Sequence, residues 1–159
     1  MELEDIYREN YPIVYGYLLS MCANPDEAEE LTAQTFFRAI QNFKRYDGSC
    51  KPSTWLCTIA RNLFYNECKR KKRNEKLPSE PVSSLEDPQL AYIEKDTARR
   101  LYRLAAAMET PYREVFFLRL EGLSFREIGI IMEKTENWVR VTYFRAKAKI
   151  REEMEDNDG

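Results

Sequence analysis

The chain has no histidine, only five glycines, and four cysteines that never form a C-x-x-C pair. Each shortage closes off a class of function. Without histidine there is no imidazole to act as general base or to activate a nucleophile. Cys22, Cys50, Cys57 and Cys68 stand apart, so a zinc site built from this chain alone is not expected. The glycines are too scattered for a phosphate-cradling loop. An enzyme is therefore not expected, nor a metal or cofactor. No apolar run approaches a membrane-spanning length, and the N-terminus, MELEDIYREN, lacks the basic and apolar regions of a signal peptide. The expectation is a cytoplasmic protein, not inserted in a membrane, whose thiols are reduced and packed in helices. Few segments alternate with period two, which favours an all-α fold.

A formal net charge of −2 over 159 residues argues, taken alone, against a nucleic-acid partner. The distribution argues the other way. Acids gather at Glu2, Glu4 and Asp5, at Asp26 to Glu30, and at Glu152 to Asp158; bases gather at Lys69 to Lys76 and at Arg140 to Arg151. Counterion release depends on the phosphates actually contacted, so local charge outweighs the sum.

The segment from Gly122 to Arg151 reads as two helices joined by a tight turn. Ser124 and Glu127 form a capping box, and Phe125, Ile128, Ile131 and Met132 share a helical face. Thr135 can cap a second helix that has no acid from Trp138 to Arg151. A short helix, a turn and a longer basic helix are the parts of a helix-turn-helix, whose second helix enters the DNA major groove. An ordinary helical pair with a solvated basic face has the same pattern.

Before it, Leu3 to Cys22 reads as a helix that Pro12 should break or kink near Tyr11. Asn24-Pro25-Asp26-Glu27 starts a helix expected to reach Phe43, with Ala28, Leu31, Thr35, Phe36, Ala39, Ile40 and Phe43 inward. Glu30, Gln34, Phe37, Arg38 and Gln41 fall on the other side. Phe37 there is either a single exposed aromatic or the apolar anchor of a docking face. Lys44 to Ser53 is a loop. The next helix, Thr54 to about Lys72, has Trp55, Leu56, Ile59, Ala60, Leu63 and Phe64 as its apolar stripe and ends in Lys69 to Arg73. That run is either a solubilising helix end or a nucleic-acid contact preceded by residues suited to stacking on bases.

Asn74 to Pro88, rich in proline and serine, reads as a linker between modules at roughly 1–73 and 89–155. Asp87-Pro88 should restart helix, with Leu90, Ile93, Leu101, Leu104, Ala105 and Met108 apolar. Thr110-Pro111 should start another, with Val115, Phe116, Leu118 and Leu120 inward. The acidic end, Glu152 to Gly159, should be frayed. The fold class expected is all-α, two small helical domains on a flexible linker, the second a helix-turn-helix.

Four stretches together, DEAEELTAQTFFRAI (Asp26 to Ile40), STWLCTIARNL (Ser53 to Leu63), the basic run after it, and EGLSFREIGIIM with WVRVTYFRAKAKIR, carry a resemblance over nearly the whole chain. The chain resembles the extracytoplasmic-function (ECF) sigma factors, the smallest class of the sigma-70 family. The resemblance implies that it binds core RNA polymerase, through the β′ clamp helices and the β flap, and opens promoter DNA. It gives Glu30, Gln34, Phe37 and Arg38 to polymerase binding. It gives Tyr46, Asn62 and Asn66 to a flipped base of the minus-10 element, with Lys69, Arg70, Lys72 and Arg73 on phosphates. Trp55 is core or a duplex-melting wedge. Arg140, Thr142, Tyr143, Arg145, Lys147 and Lys149 are the implied contacts to the minus-35 element. The linker acids Glu75, Glu80, Glu86 and Asp87 would lie in a basic channel of the polymerase, although solvation alone explains them. An anti-sigma factor is an implied partner. The chain departs from the family pattern at the turn (Glu133-Lys134 where glycine is usual), at Asn137-Trp138, and at Arg140-Val141-Thr142. The competing class is a conventional helix-turn-helix regulator whose N-terminal module binds a ligand or dimerises. It would need neither the Gln34/Phe37 face nor the Tyr46/Asn62/Asn66 group.

Overall fold

The computed structural model describes residues 2–74 and 96–158. The linker acids, the helix start at Asp87-Pro88, and Leu90 and Ile93 lie outside them. The described helices form two compact units, one on each side of the undescribed stretch.

The first unit is a three-helix bundle of α1 (Leu3–Cys22), α2 (Pro25–Gln41) and α3 (Pro52–Asn74), with a 3-10 turn at Phe43–Arg45. Asn24 caps α2 by accepting from the Glu27 N–H at 3.1 Å, and Pro25 takes the first helical position. The core is Val14, Tyr17 and Leu18 from α1, Ala28, Leu31, Phe36 and Ala39 from α2, and Leu56, Cys57, Ala60 and Phe64 from α3. Thr32 and Thr35 are fully buried, and each hydroxyl donates to the carbonyl one turn back, Ala28 and Leu31, at 2.6 and 2.7 Å. That satisfies groups whose burial would otherwise be costly.

Several expectations change here. Pro12 does not break α1. It sits on the solvent side, as does Arg8, whose carbonyl loses its helical partner where water can replace it. Ile40 is 58% exposed, because it lies about 100° beyond Ala39, off the inward arc. Trp55 is partly rather than fully buried; the buried arc of α3 runs through Leu56, Cys57, Ala60 and Phe64.

The second unit packs α4 (Asp96–Ala107), α5 (Tyr112–Leu120), α6 (Phe125–Met132) and α7 (Glu136–Asp158). Ala105, Phe116, Phe117, Ala146 and Ile150 form one core cluster, and Leu118, Leu123, Ile128, Ile131, Met132 and Val139 are also buried. Leu120, expected inside, is 59% exposed, since α5 is leaving the core at its last residue. The acidic end is helical rather than frayed: α7 continues to Asp158. Among the described residues no helix is long and apolar enough to cross a membrane.

Both halves of the predicted capping box are present. The Ser124 hydroxyl accepts from the Glu127 N–H at 3.1 Å, and the Glu127 carboxylate accepts from the Ser124 N–H at 2.8 Å. The turn after α6 has Glu133 in the left-handed region, φ 57°. The Lys134 N–H donates back to the Gly129 carbonyl at 2.9 Å, and a Cβ on Gly129 would lie 2.6 Å from the Lys134 carbonyl oxygen. Gly129 is thus the residue that lets the turn close. Thr135 then caps α7, accepting from the Trp138 N–H at 3.1 Å.

Two outcomes follow. Gly129→Ala destabilises the second unit by about 1–3 kcal/mol, because the clash is with backbone that cannot rotate away; thermal melting checks this. Glu121, half-buried after α5, has its carboxyl pushed up by desolvation from 4.5 to about 7. Below pH 4.5 the native and unfolded states are both protonated there. Stability is then lost as pH rises from 4.5 to about 7, and the loss is constant above that. Glu121→Gln therefore raises the melting temperature at pH 8 and leaves it unchanged near pH 4, which paired melts at the two pH values measure.

Candidate nucleic-acid and protein interfaces

The core consumes one arc of each helix, and three of the opposite arcs have the composition of binding surfaces. On α2, Glu30, Gln34, Phe37 and Arg38 are all exposed and share a side, with Phe37 64% accessible. Gln34 donates to Glu30 across one turn at 3.4 Å. Ile40 flanks Phe37 and widens the apolar centre, a residue that the sequence reading had placed in the core. Its signal was present in the helical period, since Ile40 does not repeat with Ala28, Thr32 and Ala39.

On α3, Asn62, Asn66, Lys69 and Arg73 step round by whole turns and form one exposed row. Trp55 lies on the same side, two turns before Asn62. Its ring stacks on Tyr46 at 4.6 Å between centroids with planes 22° apart. The Tyr46 hydroxyl donates to the Cys50 carbonyl, which folds the loop onto the start of α3, and burial pushes its pKa above the usual phenol value. Asp47 accepts from the Ser49 N–H at 2.9 Å, and Gly48 takes φ 79° to complete the turn. An aromatic pair therefore stands at one end of a row of two amides and two cations. One face of Tyr46 is already covered by Trp55.

The basic run is not uniform. Lys71 reaches across to Glu27 on α2 at 2.7 Å, tying two helices of the bundle together. That contact commits Lys71, which is not among the implied phosphate contacts, to the fold. Arg70 grips Glu67 at 2.5 Å and holds that carboxyl below its ordinary range. Lys69, Lys72 and Arg73 project into solvent.

On α7 the expected contacts separate. Arg140, Arg145, Lys147 and Lys149 are exposed. Arg140 lies over the Phe125 ring at 5.5 Å and meets Glu136 at 3.4 Å. Lys147 lies 5.8 Å from the Tyr143 ring centre, and Lys149 sits over Tyr112, on the α5 side. Tyr143 is half-buried against Phe116 and Phe125. Thr142 is not an outward contact. It is buried between Val139 and Ala146 on the inward arc, and its hydroxyl donates to the Trp138 carbonyl at 2.7 Å. The resemblance implies a reader at this position; its period places it in the core. Sequence reasoning missed Val141 and Phe144, which are exposed on the outer face of α7.

Residues 6–74 match the family Sigma-70 region 2, and residues 98–150 match Sigma-70, region 4. The ECF RNA polymerase sigma factor SigM of Bacillus subtilis is 29% identical to this chain, over 95% of it and 94% of SigM. SigW of the same organism is 27% identical over 98% of this chain and 88% of its own. CarQ of Myxococcus xanthus, an RNA polymerase sigma factor, is 29% identical over 94% and 87%. Among solved structures, the sigma factor RpoE of Bartonella quintana, crystallised with the anti-sigma factor NepR, superposes with TM-score 0.76 over 96% of each chain. CnrH in complex with the cytosolic domain of CnrY gives 0.69 over 99% of this chain and 89% of that one. Both are 18% identical to it and establish the likeness of fold. With both sigma-70 regions in order and full-length relatives of one class, the chain belongs to the sigma-70 family, in its extracytoplasmic-function class, and is an RNA polymerase sigma factor.

Proposed function

We propose that the three exposed arcs divide the work of promoter recognition. The first unit, with residues 1–73 as its domain, docks on the β′ clamp helices of core RNA polymerase through Glu30, Gln34, Phe37 and Arg38, with Ile40 beside them. Its α3 row takes the minus-10 element. The second domain, residues 89–155, contacts the β flap and reads the minus-35 element through α7, and residues 74–88 link the two. The protein works in the cytoplasm as an initiation factor, not an enzyme, and an anti-sigma factor that covers the polymerase-binding surfaces regulates it.

The observation that carries this reading is the α3 row. Asn62 and Asn66 present amides with the hydrogen-bonding pattern of a base edge, Lys69 and Arg73 continue the row where phosphates would run, and the Tyr46–Trp55 pair offers an aromatic surface at its end. A fragment library transcribed in vitro with core polymerase and this protein tests the whole. Start sites should share two elements at a fixed spacing, and absence of core binding would sink the reading.

Two substitutions separate the surfaces. Phe37→Ala lowers affinity for core polymerase by about tenfold or more, the scale of a central aromatic anchor. It moves the melting temperature by no more than about 3 °C, because the ring is exposed. Asn62→Ala reduces discrimination among minus-10 sequences by about tenfold while core affinity stays the same. Competition binding and run-off transcription with paired templates give both numbers, and a loss of folding in N62A would make that residue structural instead.

A further inference from the structure

The outer face of α7 is not the basic surface that its composition suggests. Val139, Thr142, Ala146 and Ile150 are buried and fix the inward arc. The arc opposite runs through Asn137, Val141, Phe144 and Ala148, all exposed and successive within one or two helical turns. Its centre is apolar: Val141 is 39% and Phe144 54% accessible. The cations stand on the flanks, Arg140 and Lys147 on one side and Arg145 on the other. Arg140 is drawn further from the centre by the Phe125 ring and by Glu136.

An apolar strip alone would also suit a protein partner. The flanking cations, with no acid from Asn137 to Arg151, favour a polyanion that straddles the helix. In a major groove the flanks meet phosphates and the centre meets base edges. The one apolar group a base edge presents there is the thymine methyl, whereas guanine offers only acceptors that call for a central arginine or lysine. An amide at the same face, Asn137, matches the donor–acceptor pair of adenine. We infer that α7 selects its minus-35 element chiefly through thymine methyls packed on Val141 and Phe144, with Asn137 on an adenine, and that its arginines position the helix on the backbone. This rests on α7 being the minus-35 reader.

The experiment uses holoenzyme assembled from core polymerase and the full chain, on a promoter selected from a library. Each thymine of the minus-35 element is replaced in turn by deoxyuridine, which removes only the methyl, and equilibrium binding is measured. At one or two thymines the loss should be about fourfold, the factor that burial of one methyl-sized group carries. Val141→Ala should abolish the sensitivity at one of them, and Val141→Thr, which keeps the shape but loses a methyl, should reduce it. Unchanged melting of both variants keeps the result a statement about contact. If scrambling the whole element weakens binding but every deoxyuridine is silent, or if the selected element has no thymine, the methyl inference is overturned and the minus-35 reading survives. If scrambling has no effect, the reading of α7 itself has failed.

Discussion

Everything in this molecule depends on burial of one arc of each helix in a unit that is barely large enough to have a core. A domain of this size hides a modest fraction of its surface, so the inward arcs cannot be spared for binding. Tyr17, Leu18, Leu56 and Leu118 are wholly enclosed, and Thr32 and Thr35 among them return their hydroxyls to their own helix. What remains for partners is the outward arc. On a helix that arc is a straight, rigid row with residues a turn apart. Such a row suits partners that are themselves linear, a helix or a strand of nucleic acid. The three rows on α2, α3 and α7 differ in chemistry, as the proposed division among different linear partners requires, while the rule that exposes them is the same.

The charge pattern follows from this division. Of the basic run at the end of α3, Lys71 is committed to Glu27 and Arg70 to Glu67, while Lys69, Lys72 and Arg73 are exposed. The Lys71–Glu27 pair is partly exposed and contributes at most about 1 kcal/mol, so its value lies in fixing how α3 leaves the bundle. A net charge of −2 is compatible with DNA binding because screening removes the influence of distant acids over about 10 Å at ordinary salt.

Much of this was legible in the residues. The caps at Asn24, Ser124 and Thr135 are local chemistry, decided within four residues, and all three form as the sequence implies. The outward placement of Phe37, Asn62 and Asn66 follows from the period alone. The failures have a common cause: residue type was allowed to override angular position. Ile40 and Leu120 were assigned inward for being apolar, yet one lies 100° off the arc and the other at a helix end. Thr142, a contact that the resemblance implies, is buried, whereas Val141 and Phe144, which it does not imply, are exposed. Trp55 shows the limit from the other side. Its stacking on Tyr46 joins residues from a loop and a helix, and no periodic argument predicts that contact.

The helix-turn-helix shows why the family's fold and this chain's specificity can vary independently. The register of α7 is set before its outer face begins, by the Ser124–Glu127 box, the close approach at Gly129, the left-handed Glu133 and the Thr135 cap. A left-handed glutamate costs roughly 1–2 kcal/mol where glycine would cost little, and the turn holds regardless, because the Lys134 N–H bonds the Gly129 carbonyl and the Lys134 ammonium lies over the Trp138 ring at 5.1 Å. None of these contacts involves Asn137, Val141 or Phe144. Those side chains can therefore change without moving the helix, and a helix so anchored presents whatever they are at a fixed depth. On the proposed reading, specificity in this unit is a property of a few outward side chains on a scaffold that does not respond to them; of the departures from the family pattern, Asn137, Arg140 and Val141 are exposed, while Glu133 lies in the turn and Thr142 in the core.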